Sequence, residues 1–130
     1  MDSKDFKSLN GLRVLVVDDN HILQRVISHI LMQWQVTIDL ASNGKIALEM
    51  LSQEVYDVVL MDLMMPELDG YEATRIIRSR EGSYFRNLPI FAYSASPDQG
   101  LIDECGMNGR ISKTPIDKEE LHEKLSSYLK

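Results

Sequence analysis

Three acidic positions stand where a carboxylate is costly: the pair Asp18-Asp19 and, far downstream, Asp62. Each lies at the end of an apolar run, Val14-Leu15-Val16-Val17 before the pair and Val58-Val59-Leu60-Met61 before the third. A carboxylate closing a buried strand loses hydration, and such groups are usually there for chemistry. If the two strands are neighbours, three carboxylates meet at one spot, and their repulsion calls for a hard divalent cation. Mg²⁺ takes a few carboxylate oxygens and fills its shell with water and phosphate oxygens. A carboxylate beside it is a nucleophile for a phosphoryl group.

The elements that must position these groups follow one pattern five times, a short apolar run and then an amphipathic stretch. Strands are predicted at Arg13–Val17, Val36–Ala41, Val55–Met61, Ile90–Ser94 and Arg110–Ser112. The first helix, Asn20 to Gln33, places Leu23, Val26, Ile27, Ile30 and Leu31 on one face. The second opens at Ser42-Asn43-Gly44, and the third follows Pro66 and Asp69-Gly70 and buries Ala73, Ile76 and Ile77. A short fourth carries Leu101, Ile102 and Cys105, and the last follows Asp117 and Glu120, spaced as a capping box. Alternation of this kind implies an α/β fold, a doubly wound five-stranded parallel sheet with five helices. Ligands in such sheets bind at the carboxyl ends of the strands, where strand order reverses. In the flavodoxin-like order 2-1-3-4-5 that point lies between the strands ending in Asp18-Asp19 and Asp62.

The 130 residues suit one domain, with residues 1–10 a flexible lead-in or linker and 11–130 the folded unit. A net charge of −6 and the absence of a Lys/Arg run argue against nucleic acid as partner. The single cysteine, Cys105, precludes an intramolecular disulfide and fits a reducing cytoplasm. No apolar stretch is long enough to enter a bilayer as a span.

Val-Leu-Val-Val-Asp-Asp-Asn, then Met-Asp-Leu-Met-Met-Pro-Glu-Leu-Asp-Gly, then a hydroxyl residue and a lysine ending later strands, resemble the receiver domain of two-component response regulators. The likeness runs from about Gly11 to Lys130 and is greatest to receivers of hybrid sensor kinases. It implies Asp62 as phosphoacceptor and metal ligand, Asp19 as a direct ligand of Mg²⁺ (or Mn²⁺), Asp18 as holding the ion mainly through water, and the backbone carbonyl of Met64 as a further ligand. It implies that Ser94 bonds one phosphoryl oxygen and Lys113 pairs with another. The expected partner is a sensor histidine kinase or histidine phosphotransfer domain, in a cytoplasmic phosphorelay. The chain would catalyse its own phosphorylation and dephosphorylation. Homodimerisation through the fourth helix, fifth strand and fifth helix is a further expectation of the family. A shift from 1:99 to 99:1 between two conformations takes about 5.5 kcal/mol, which new contacts to Ser94 and Lys113 would supply.

Three features depart from the family pattern. Thr114 separates Lys113 from Pro115, where the family has proline directly after the lysine. Arg110 stands where an aromatic switch residue is usual, so signalling without an aromatic rotation is expected. The stretch between Ser94 and Lys113 is about one helical turn short, and Pro97 and Gly100 weaken a helix there. The alternative reading is a degenerate receiver, a binding module that works without phosphorylation. A phosphatase with an aspartyl nucleophile would need a substrate cap. A flavin-binding relative would need a phosphate loop where Asp18-Asp19 stands. His21 reads as an exposed first-turn residue, and His29 and His122 lack ligand spacing.

Overall fold

The computed structural model describes residues 6–95 and 97–129. Its centre is a parallel sheet of β1 (Arg13–Val17), β2 (Thr37–Ala41), β3 (Val58–Met61), β4 (Ile90–Ser94) and β5 (Gly109–Ser112). Their spatial order is β2-β1-β3-β4-β5, the flavodoxin-like order. The crossovers are α1 (His21–Gln33), α2 (Gly44–Gln53), α3 (Gly70–Ser79), α4 (Ser83–Asn87) and α5 (Gln99–Cys105), and α6 (Lys118–Ser126) closes the chain. The five helices of seven residues or more are those the sequence pattern marks. The five-residue α4 is an addition, and it buries none of its side chains.

Successive side chains of a strand point to opposite faces, and here both faces are covered, hence the unbroken apolar runs. Leu15, Val17, Val59, Met61, Ile90 and Ala92 join a core with residues of α2, α3 and α5, including Ala47, Leu51, Ala73, Ile77 and Ile102. Val14, Val16, Val58, Leu60, Phe91, Tyr93 and Ile111 join a second core with α1 and α6, including Ile27, Leu31, Leu121 and Leu125. The long helices start on side-chain caps from Asn20, Asn43, Asp69, Asp98 and Asp117, each accepting a backbone N–H of the first turn.

Several expectations shift. The third strand begins at Val58, because Val55 is exposed and Asp57 turns its carboxylate back onto the Arg13 N–H, 2.8 Å away. On α1 the buried set is Gln24, Ile27, Ile30 and Leu31, while Val26 faces solvent. On α3 Thr74 is buried where Ile76 was expected, its hydroxyl donating to the Gly70 carbonyl at 2.8 Å. The capping box is half made: Asp117 accepts from the Glu120 N–H, but the Glu120 carboxylate accepts from the Ser112 N–H at 3.0 Å. Of the lead-in, residues 1–5 lie outside the described residues. Residues 6–10 pack: Leu9 is buried and donates its N–H to the Trp34 carbonyl, and Phe6 stacks against Trp34 and His122.

Candidate functional site

Register brings the acidic groups together. Val17 of β1 pairs with Met61 of β3, so Asp18 and Asp62 leave the sheet side by side. The Asp62 N–H donates to the Val17 carbonyl at 2.9 Å, and the Asp18 N–H donates to Ala41 at 3.0 Å. On β4 and β5, Ser94 pairs with Ser112, which delivers Lys113 one residue later on the same edge. Gly70 is required by this packing. A Cβ there would lie 2.3 Å from the Asp62 carbonyl oxygen, so only glycine lets α3 begin against the backbone of the site.

One carboxylate oxygen from each of Asp18, Asp19 and Asp62 lies within 4.8 Å of the others. Asp18 is fully buried, Asp62 nearly so, and Asp19 is exposed. The Lys113 ammonium, itself buried, lies 3.0 Å from Asp18 Oδ2 and 3.1 Å from Asp62 Oδ2. Lys113 therefore reaches the carboxylates with Thr114 interposed, and the cis peptide bond lies at Thr114–Pro115. Asp18 Oδ1 accepts the Asn20 N–H at 2.9 Å, and Asp62 Oδ1 accepts the Met64 N–H at 3.3 Å. The side chain of Met64 is exposed, and Met61 and Met65 are core. Buried Ser94 lines the same cleft of about 290 Å³, with Asp19, Asn20, Leu23, Met64 and Thr114.

Three carboxylates face one ammonium, so the cluster keeps an excess of negative charge. Burial pushes the Asp62 carboxyl above its ordinary value of 3.8. Lys113 pulls the other way, Asp18 adds to the rise, and the Met64 N–H opposes it. Asp18 Oδ2 is buried and, apart from the ionic contact with Lys113, makes no hydrogen bond among the described residues. An oxygen of that kind, in an all-oxygen set with surplus charge, fits a hard divalent cation.

Two residues that contact the site escaped the sequence reading. Gln24 donates its amide to the Asp18 carbonyl at 2.5 Å, anchoring the first turns of α1 to the end of β1. Its signal was faint: a polar residue one step off an apolar stripe. Tyr93 lies fully buried with the Lys113 ammonium 5.3 Å from its ring centroid, a contact that depends on the β4–β5 register. Arg110 is exposed and lines a cavity of about 310 Å³ with Ser94, Pro97, Lys113 and Glu120. His21 and His29 are exposed, and His122 is packed against Phe6 and Trp34.

A five-stranded parallel sheet of flavodoxin-like order, with buried carboxylates and a lysine at the carboxyl ends of its strands, defines an α/β domain with an acidic cleft. The family model described as response regulator receiver domain matches residues 14–126, and the chain belongs to that family. A rice relative, probable histidine kinase 6, is 36% identical over 91% of this chain, which covers 14% of that protein. The chain thus spans a small part of the curated relatives it matches. The receiver domain of the Pseudomonas aeruginosa sensor histidine kinase PA1611, with magnesium coordinated in its active-site cleft, superimposes with a TM-score of 0.81 at 35% identity. It covers 92% of this chain and 98% of that one. The receiver domain of yeast Ssk1, in co-crystal with the phosphotransfer protein Ypd1, gives 0.79 at 26% identity over 97% and 92%. The family is that of two-component phosphorelay signalling, and no helix among the described residues is long and apolar enough to cross a membrane.

Proposed function

We propose that this chain accepts a phosphoryl group onto Asp62 from the phosphohistidine of a sensor histidine kinase or histidine phosphotransfer domain. An Asp62 oxygen attacks phosphorus, the P–N bond breaks, and its electron pair returns to the imidazole. The transition state spreads charge over three equatorial oxygens, so catalysis is positioning plus charge stabilisation. Lys113, already 3.1 Å from Asp62, pairs with one of those oxygens, and the Ser94 hydroxyl bonds another. Asp18, Asp19, Asp62 and the Met64 carbonyl would hold Mg²⁺, with Mn²⁺ served by the same oxygen set. A bound Mg²⁺ supplies charge neutralisation at the phosphoryl oxygens. Hydrolysis of the acyl phosphate ends the signal, and the two states differ in conformation for protein contact or onward phosphotransfer.

The observation that carries this reading is the convergence of three carboxylates within 4.8 Å of one another, two of them paired with a buried lysine. Exposed Met64 lines the cleft and exposed Ile22 and Val26 stand on α1, an apolar set that suits a helical partner presenting a phosphohistidine. A cytoplasmic location, the absence of nucleic acid among the partners and a homodimer through α5, β5 and α6 belong to the same reading. Exposed Arg110 favours the second reading, a phosphorylation-independent binding module. Intact mass after incubation with acetyl phosphate, with and without Mg²⁺, tests the choice. One Mg²⁺-dependent phosphoryl adduct, absent from Asp62→Asn, is expected, and no adduct from any donor turns the reading to the second.

A further inference from the structure

Lys113 has to hold one position through a reaction that replaces its partner. Before phosphorylation it faces two carboxylate oxygens at nearly equal distance, 3.0 and 3.1 Å. A lysine stem has four rotatable carbons, and two equal attractions do not fix where the ammonium rests between them. The ring of Tyr93 adds a third. It is fully buried and locked in the core shared with α1 and α6, and the ammonium stands over it at 5.3 Å. An ammonium within about 6 Å of an aromatic centroid is drawn to the ring's negative face, most strongly where water is excluded. The Tyr93 hydroxyl is buried and makes no hydrogen bond among the described residues, so the ring is what the site uses. Burial and the nearby Asp18 and Asp62 carboxylates push the phenol's pKa up, which keeps the ring neutral.

We propose that Tyr93 is a positioning residue for Lys113: its ring face seats the ammonium and keeps it aimed at Asp62 while the acceptor oxygen becomes part of an acyl phosphate. This rests on the reading of Lys113 as the cation that pairs with the phosphoryl group. The ring belongs to the core on the face opposite α2, α3 and α5, so it acts on the site through Lys113.

The test grades the electron density of the ring's face with little change in its size. Phenylalanine and its mono-, di- and pentafluorinated analogues are placed at position 93, and the rate of acetyl phosphate labelling with Mg²⁺ is read. Tyr93→Phe is expected to stay within about twofold of wild type. The rate then falls with each step of fluorination, to about tenfold at the pentafluoro ring. A flat series overturns the proposal. Tyr93→Leu should cost about tenfold in the wild type and nothing further in Lys113→Ala, whereas an equal cost in both backgrounds marks a merely structural role and overturns it. The Lys113 ε-methylene protons should be shifted upfield by the ring current in wild type and Tyr93→Phe and not in Tyr93→Leu, and the absence of that shift from wild type also overturns it. If Lys113→Ala labels at the wild-type rate, the reading of Lys113 falls and takes this proposal with it. That failure differs visibly from one in which Lys113→Ala is slow and the fluorinated series is flat.

Discussion

The two ends of the sheet use the same residue types to different effect. At the amino end the Arg13 guanidinium donates to the Val55 carbonyl, Asp39 and Glu54 and lies over the Tyr56 ring. The Tyr56 hydroxyl donates to Asp39 at 2.6 Å, and the Tyr84 hydroxyl bonds both the N–H and the carbonyl of Tyr56. Donors and acceptors there are matched, and the charges reach solvent. At the carboxyl end three carboxylates lie within 4.8 Å of one another, one ammonium reaches two of them, and that ammonium is the sole partner of buried Asp18 Oδ2 among the described residues. Matched polar groups fasten strands. Buried groups left mismatched are a standing cost that a ligand can relieve, and that cost is the mark of a working site.

Asp62→Asn breaks the comparison most completely. It should abolish the phosphoryl adduct while the fold persists, as intact mass and circular dichroism would show. It also removes one of the three repelling charges, so the metal-free variant should melt above the wild type. Next in size is Lys113→Ala. It leaves two buried carboxylates without their cation, and breaking a buried pair in this way costs about 3–5 kcal/mol. Denaturant unfolding should show that loss without Mg²⁺ and recover much of it with Mg²⁺, because the cation binds only the folded state. A loss unchanged by Mg²⁺ would mean that Lys113 fastens the loop and the acidic cleft does not hold the metal.

What was legible follows the same division. The acidic positions could be read because apolar runs mark the strands and two of those runs stop at carboxylates, Asp18-Asp19 and Asp62, while the sheet order was an assumption that the alternation of strands and helices suggested and the observed pairing bears out. The limits of β3 could not, since Val55-Tyr56 reads as strand until Asp57 is seen to bond the Arg13 N–H. Val26 was preferred to Gln24 because hydrophobic periodicity is blind to a carbonyl needing a donor at a buried strand end. The short α4 carries no apolar period, and it follows Gly82 at φ +108°, a conformation that glycine favours and that composition does not announce. The reach of Lys113 past Thr114, and the ring beneath it, are matters of register between β4 and β5 and leave no trace in one dimension.

The pH dependence sharpens the comparison further. The folded-state value of Asp62 is raised above 3.8, so folding favours its protonated form. Its contribution to stability is fully present below the ordinary value and is lost as pH rises through the raised one. Metal-free wild type should therefore lose stability relative to Asp62→Asn as the pH climbs out of the acid range. The gap should close on adding Mg²⁺, which a series of thermal melts would read. Parallel pH profiles for the two proteins would show that the charge on Asp62 is not held against a cost.

The smallest effect is expected at the other end, and it isolates what the comparison claims. Tyr56→Phe removes one hydroxyl that donates to Asp39 and leaves the ring, the Arg13 contact above it and the strand ladder in place. Asp39 keeps the Arg13 guanidinium at 3.4 Å and is partly exposed, so water replaces the lost donor. The cost should be about 1 kcal/mol, that of an ordinary hydrogen bond, and equal with and without Mg²⁺. The labelling rate with acetyl phosphate should stay within about twofold of wild type, since the fastening at the amino end is satisfied locally and is separated from Asp62 by the length of the strands. A Mg²⁺-dependent cost, or a labelling rate that falls with stability, would mean that the two ends are coupled through the sheet, and the division between fastening and working ends would fail.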